Sequence, residues 1–328
     1  MSSRAHRRHS TSVLGWGVAA PSLSAALVVA IGCGGGSNSP SKAESAGGGK
    51  SSTTVAASER RVASRVVLAD ELLWALGPEV HGRVVGLSPM ADDARYSAVA
   101  EQWPEATPRL GRNPEELLAI APDLVIVASF SDAEYRAAID GKVEVLVLDG
   151  FDGFDDFRAN LQTIGEAVGA VEAAGEVREA FDARVAKIEA RRPSLAEGEA
   201  RPTIASWQSG YLAGLDTTFD DAAEAAGFRN VATKAGHLRV DAEQLLSWAP
   251  EWLVIGCGER ACDEAVAALD EAPGIRTLEA VREGRVIAIE APYLGSVGEG
   301  MLELAERLQA PLRASAQQGA KADEASPR

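Results

Sequence analysis

Asn113 to Val127 reads NPEELLAIAPDLVIV, and Asp241 to Ile255 reads DAEQLLSWAPEWLVI, the same unit 128 positions later. Glu, Leu, Leu, Ala and Pro are matched, and most other exchanges are conservative. Each copy reads as a capped short helix, a proline that ends it and a buried strand, together one αβ step. Two such steps so far apart predict two similar α/β lobes, and two facing lobes enclose a cleft. A fainter echo lies upstream, where Asp70-Glu71 followed by Gly77 matches Asp220-Asp221 followed by Gly227 at an offset of 150. The offsets differ by 22, so the first lobe holds a stretch, Arg83 to Pro104, that the second lacks.

Upstream of the first copy, the β-branched runs Arg65–Leu68 and Arg83–Leu87 flank an amphipathic segment, Ala69–Leu76, closed by Gly77. That order predicts a βαβ beginning. Leu124–Val127 and Val143–Leu148 supply further strands and complete a first lobe over residues 60–151. Residues 152–193 then read as one long helix, with Phe157, Leu161, Ile164, Val168, Val177, Phe181, Val185 and Ile188 at helical spacing. Gly165, Gly169 and Gly175 weaken it, so a straight rod and a helix broken between Gly169 and Gly175 both stay open. A strand at Pro202–Ser206 opens a second lobe over 194–314, and the polar residues 315–328 read as a disordered tail.

The first 33 residues carry Arg4, Arg7 and Arg8 and then an apolar stretch that closes on Ala30-Ile31-Gly32-Cys33. This is the pattern of a secretory signal. Its end resembles a bacterial lipoprotein box, which makes Cys33 the expected lipidated residue and the cell envelope the expected location. Residues 34–59, rich in Gly, Ser, Thr, Ala and Lys, read as a flexible tether. With Cys33 assigned to lipid, Cys257 and Cys262 remain, and in an exported protein a disulfide between them is expected. Two thiolates without a nearby His fall short of a tetrahedral zinc set. The formal charge of −16 becomes −19 on loss of the three signal arginines, which argues against a nucleic-acid partner.

From Val62 to Leu312 the order of parts resembles the periplasmic substrate-binding proteins of ABC importers for iron–siderophore complexes, cobalamin and haem. The pieces are DELLWALG, RVVGLS, NPEELLAIAPDLVIV, the interlobe helix, GHLRVDAEQLLSWAP and APYLGSVGEG. The resemblance implies an α/β fold of two Rossmann-like lobes joined by one long interlobe helix, with the ligand between the lobes. It also implies a lipid-anchored captor that delivers its ligand to a permease dimer. Asn113 and Asp241 read as N-caps, with Glu116 and Gln244 completing capping boxes, which leaves Glu115 and Glu243 facing outward. In the resembled family one glutamate per lobe at this place docks onto arginines of the permease; the alternative is that both only complement the helix dipole.

Open α/β sheets bind ligands at the carboxyl ends of their strands. That selects the loops Ser88–Asp92, Ala128–Ser131 and Asp149–Phe151 in one lobe, and Trp207–Tyr211, Gly256–Arg260 and Glu290–Leu294 in the other. Within them Phe130, Trp207, Tyr211 and Tyr293 offer flat surfaces to a large ring-bearing ligand. Arg109, Arg112, His237 and Arg239 precede the repeated helices and resemble cleft-lining positions of the family. The arginines offer charge-assisted hydrogen bonds and point to an anionic ligand. His237 is a candidate axial ligand for haem iron or cobalt, or a hydrogen-bonding or merely exposed residue. A cluster able to hold a free ferric or zinc ion is not visible, so neither a resident metal nor a cofactor is expected. The stretches SGYLAGLDTT and GHLRV place a ferric siderophore first among ligands, then cobalamin, then haem.

Enzyme readings are weaker. Gly256-Cys257-Gly258-Glu259-Arg260-Ala261 matches the G-x-G-x-x-A dinucleotide loop, but a bridge from Cys257 to Cys262 would fix a turn that must otherwise hug a pyrophosphate. Gly295-Ser296-Val297-Gly298 misses the spacing of a serine-hydrolase elbow. The pairs Asp92-Asp93 and Asp220-Asp221 are explained as helix-start carboxylates. No catalytic residue is assigned. An exported enzyme or a structural lipoprotein built on a Rossmann-like lobe is the remote alternative.

Overall fold

The computed structural model describes residues 55–325 other than 196, 197, 209 and 259. The signal segment, Cys33 and nearly all of the tether lie outside these residues. In the first lobe the chain runs β1 (Val62–Ser64), α1 (Val67–Ala75), α2 (Pro78–His81), β2 (Val84–Gly86), α3 (Pro114–Ala119), β3 (Leu124–Ala128), α4 (Ala133–Ile139) and β4 (Glu144–Leu148). The four strands form a parallel sheet in the order β2-β1-β3-β4, with Val62, Ala63 and Ser64 beside Leu124, Val125 and Ile126. All of β3 is buried, as a central parallel strand covered on both faces must be.

The first strand differs from the sequence expectation. It lies at Val62–Ser64, and Arg65–Leu68 form the turn and first residues of α1. The Ser64 hydroxyl donates to the Val66 carbonyl (3.0 Å) and accepts from its N–H (3.2 Å), which ends the strand there. The stretch unique to this lobe packs back through Trp103, whose ring meets the stacked pair Trp74 and His81 edge-on (centroids 5.0 and 5.5 Å).

Of the two forms left open for the connector, a straight rod and a broken helix, the structure takes the broken one. It is α5 (Phe154–Ala167) and α6 (Val171–Ala190), folded back on each other. Phe181 stacks on Phe157 (centroids 4.4 Å) and meets Phe154 edge-on (5.4 Å), so residues on either side of the break face one another. Gly169 makes the reversal: its φ is +68°, and a Cβ there would lie 2.7 Å from the Ser58 amide nitrogen. Of the two helices α6 reaches the second lobe. At 20 residues it spans about 30 Å, and it buries the stripe Ala174, Phe181 and Ile188.

The second lobe contains β5 (Thr203–Gln208), β6 (Tyr211–Ala213), α7 (Thr218–Ala226), β7 (Arg229–Asn230), β8 (His237–Arg239), α8 (Ala242–Trp248), β9 (Trp252–Gly256), α9 (Cys262–Ala267), α10 (Glu279–Arg282), β10 (Val286–Ile289), α11 (Ala291–Leu294) and α12 (Gly300–Ala325). Strands β10, β9 and β5 are parallel, and β7 joins the start of β5 in parallel. The end of β5 turns back instead, into an antiparallel ribbon with β6 and β8. Helix α12 continues through Ala325, where residues 315–325 were expected to be disordered. Gln309 on α12 donates to the Ile188 carbonyl at the end of α6 (2.7 Å), and Arg184 on α6 pairs with Glu303 and Glu306 (3.1 and 2.6 Å).

The two copies of the repeat agree down to the backbone. Ala121 and Ala249 both stand at φ +44° just ahead of their prolines, a conformation that closes the helix before a residue unable to continue it. Their caps differ. Asp241 accepts from the Gln244 N–H (2.8 Å), whereas Asn113 accepts from the Glu115 N–H (3.0 Å) and the Glu116 carboxylate takes the Gly111 N–H (2.9 Å). Among the described residues the reciprocal bond back to the cap N–H is formed in neither lobe, by Glu116 or by Gln244.

The carboxylate pairs also do more than cap their own helices. Asp70 is fully buried and faces the Ser88 N–H, and Glu71 accepts from the Ala98 N–H (2.8 Å). Glu71 also abuts Gly298, ahead of α12, where a Cβ would lie 2.0 Å from its carboxylate. Its repeat partner Asp221 accepts from the Phe154 N–H (2.8 Å), the first residue of α5. Each lobe thus offers one half-buried carboxylate to a turn that brings the chain in from the other. Burial pushes Asp70 up to about 6 and Glu71 up to about 7.

Two predictions follow from this packing. Both acids keep their protons to higher pH in the folded chain than in the unfolded one, where their pKa is about 4. Their contribution to stability therefore falls as the pH rises from about 4.5 to about 7. Glu71→Gln should flatten that part of the melting temperature–pH curve relative to the parent; an unchanged slope would refute it. Gly169→Ala should cost at least about 1 kcal/mol in urea unfolding, from the left-handed backbone alone.

Candidate ligand cleft

A cavity of about 570 Å³ opens between the lobes at the carboxyl ends of the first sheet. Each strand of that sheet feeds it: Arg65 to Leu68 after β1, Ser88 to Met90 after β2, Ser129 to Ser131 after β3, and Asp149, Phe151 and Asp152 after β4. His237 and Val297 close it from the second lobe. The uncapped first turn of α1 adds backbone N–H groups to this wall.

His237 also lines a second hollow, of about 390 Å³, with Ser206, Gln208, Tyr211, Thr218 and Leu294. Gln208 continues into a groove of about 750 Å³ beside Trp207, Gly256, Cys257 and Arg260. His237 is shared by the first two spaces and Gln208 by the last two. Cys257 and Cys262 are joined in a disulfide that fixes the lip of the last groove. That bond occupies the loop with the dinucleotide-like spacing.

The structure distributes the sequence candidates unevenly. Phe130 stands in the interlobe cavity, 75 % exposed, its ring 5.1 Å from Phe151. Tyr211 and Trp207 line the second lobe's wall, and the Trp207 indole N–H is buried without a hydrogen-bond partner among the described residues. Arg239 pairs with Tyr211 across the ribbon, two residues beyond His237, and lies outside the lining. Tyr293 is not a cleft residue: it packs half-buried against the core, with the Arg307 guanidinium 4.2 Å above its ring.

Two arginines expected to face the ligand do not. Arg109 is tied to Asp92 (Nε to Oδ2, 2.8 Å) and to the carbonyls of Pro104 and Thr107, so it braces the loop of residues 88–108. Arg112 is exposed on the turn before α3, away from the cavity walls. The arginine that does line the cavity, Arg65, was hidden by reading residues 65–68 as strand. It donates to the carbonyls of Leu110 and Gly111, and its guanidinium lies 3.8 Å from the centre of the Tyr135 ring. The run Val62-Ala63-Ser64 ahead of it is the signal that would have placed it at a strand end. Glu115 and Glu243 both lie exposed in the first turn of their helices.

Residues 68–293 match the family model described as periplasmic binding protein. An uncharacterized ABC transporter substrate-binding lipoprotein of Bacillus subtilis, YvrC, is 23 % identical over 261 residues, covering 76 % of this chain and 80 % of that protein. Among solved structures, a possible iron-binding periplasmic solute-binding protein from Staphylococcus epidermidis superposes with a TM-score of 0.65 at 18 % identity, over 77 % of this chain and 98 % of the other. A periplasmic heme-binding protein from Pseudomonas aeruginosa gives 0.64 at 23 %, over 78 % and 93 %. A protein of an ABC-type Fe3+-hydroxamate transport system from Saccharomonospora viridis gives 0.55 at 23 %, over 76 % and 91 %. At these identities the structural likeness is one of fold. With the family model spanning most of both lobes, this chain belongs to the periplasmic binding protein family.

Proposed function

We propose that this protein captures a metal chelate between its lobes and delivers it to an ABC importer, with a ferric siderophore as the first candidate and cobalamin or haem as alternatives. The observation that carries this reading is the interlobe cavity itself. It is large enough for a chelate of several rings, walled by Phe130 and Phe151 on one side and closed by His237 from the other. Ligand sites of this kind are concave, mostly apolar and largely preformed. The iron, heme and hydroxamate proteins that share the fold support the class of ligand.

The protein acts by binding, not by catalysis. Phe130, Tyr211 and Trp207 supply apolar contact, and His237 supplies a donor at the joint of the walls. The exposed carboxylates Glu115 and Glu243, one on each copy of the repeat, are the feet that dock on the permease dimer. Cys33 holds the mature chain to the membrane through lipid, and the stretch that follows it acts as the tether. The B. subtilis relative, itself described as a substrate-binding lipoprotein, supports this placement in the cell envelope.

Tryptophan fluorescence of the purified protein, titrated with ferric siderophores, cobalamin and haem, tests capture. Saturable quenching by one class is the expected result, and no response to any of them together with turnover in hydrolase or dehydrogenase assays would reject it. For docking, Glu115→Lys with Glu243→Lys should leave ligand affinity unchanged and abolish uptake into cells. Undiminished uptake would return both glutamates to a helix-dipole role.

A further inference from the structure

Resting on the proposed capture of a chelate, we infer that the cleft selects neutral or cationic chelates and discriminates against anionic ones. The arginines that the sequence offered for an anion are not available to one: Arg109 is bound to Asp92, and Arg112 lies off the cavity. Inside the interlobe cavity the sole guanidinium among the described residues is that of Arg65, already donating to two carbonyls and seated on Tyr135. Against it stand Asp149 and Asp152, both exposed at the end of β4, and neither carboxylate is paired with a cation among the described residues. Arg239 and Arg260 lie on the second lobe, outside this cavity.

Apart from the His237 imidazole, a further source of positive potential is the first turn of α1. A helix N-terminus amounts to roughly half an elementary charge and falls off within a turn, whereas the two aspartates bring two full negative charges. Those N–H groups can still donate to the oxygens of a neutral ligand, because a hydrogen bond to a carbonyl or hydroxamate oxygen needs no net charge. The rest of the wall is Val66, Val67, Leu68, Pro89, Met90 and Phe130, which rewards an apolar outer surface on the chelate.

A matched series separates charge from shape. Ferrioxamine B carries a free terminal ammonium, its N-acetyl derivative is neutral and its N-succinyl derivative is anionic, all around the same ferric trihydroxamate. Fluorescence titration at low salt should give at least tenfold weaker binding for the succinyl form than for the other two, narrowing as salt is raised. Asp149→Asn with Asp152→Asn should remove most of that difference. Equal or tighter binding of the succinyl form overturns the inference and leaves chelate capture standing. So does binding of a ferric tris-catecholate or haem with none of the series bound. Failure of the series, the tris-catecholate, haem and cobalamin alike would overturn the proposed function itself.

Discussion

Packing of Phe181 against Phe154 and Phe157 is the contact on which the arrangement of the lobes depends. It holds α5 against α6, and through them one apolar cluster runs from Leu72 and Leu73 of the first lobe to Phe219, Met301 and Leu308 of the second. The cleft lies beside this shared core. Its two walls are therefore held in register by buried side chains and not by a bare linker, so a ligand meets a largely formed site and little ordering free energy is spent on binding.

The internal repeat is preserved where the backbone requires it and has diverged where surroundings differ. Ala121 and Ala249 keep the same left-handed turn before proline. Glu71 and Asp221 both remain half-buried carboxylates turned toward an incoming chain. The second sheet, in contrast, ends in the β6–β8 ribbon, which carries Tyr211, His237 and Arg239 and has no counterpart in the first. Under the proposed function, selectivity would come from that asymmetric half together with the β4 loop.

Much of this was legible in the sequence. The repeat gave two lobes, strand-end loops gave most of the cavity wall, and Cys257 with Cys262 gave the disulfide. The failures have identifiable physical causes. Val66 and Val67 favour strand by their side chains, but a three-residue strand had already ended at Ser64, and tertiary packing overrode propensity. The connector kept helical spacing through its reversal, because both helices bury one stripe against the same core. Arginine count could not separate a free guanidinium from a paired one; Arg109 finds Asp92 seventeen residues away, across a loop with no regular pattern.

The connector carries a consequence for how the chain can be divided. Gene duplication ordinarily leaves two units, each able to stand alone. Here α5 and α6 fill a core that belongs to both halves, with Gln309 and Arg184 fastening the last helix to the far end of α6. Cutting at the reversal would strip apolar surface from each half at once. The two halves have become parts of one body that share a core.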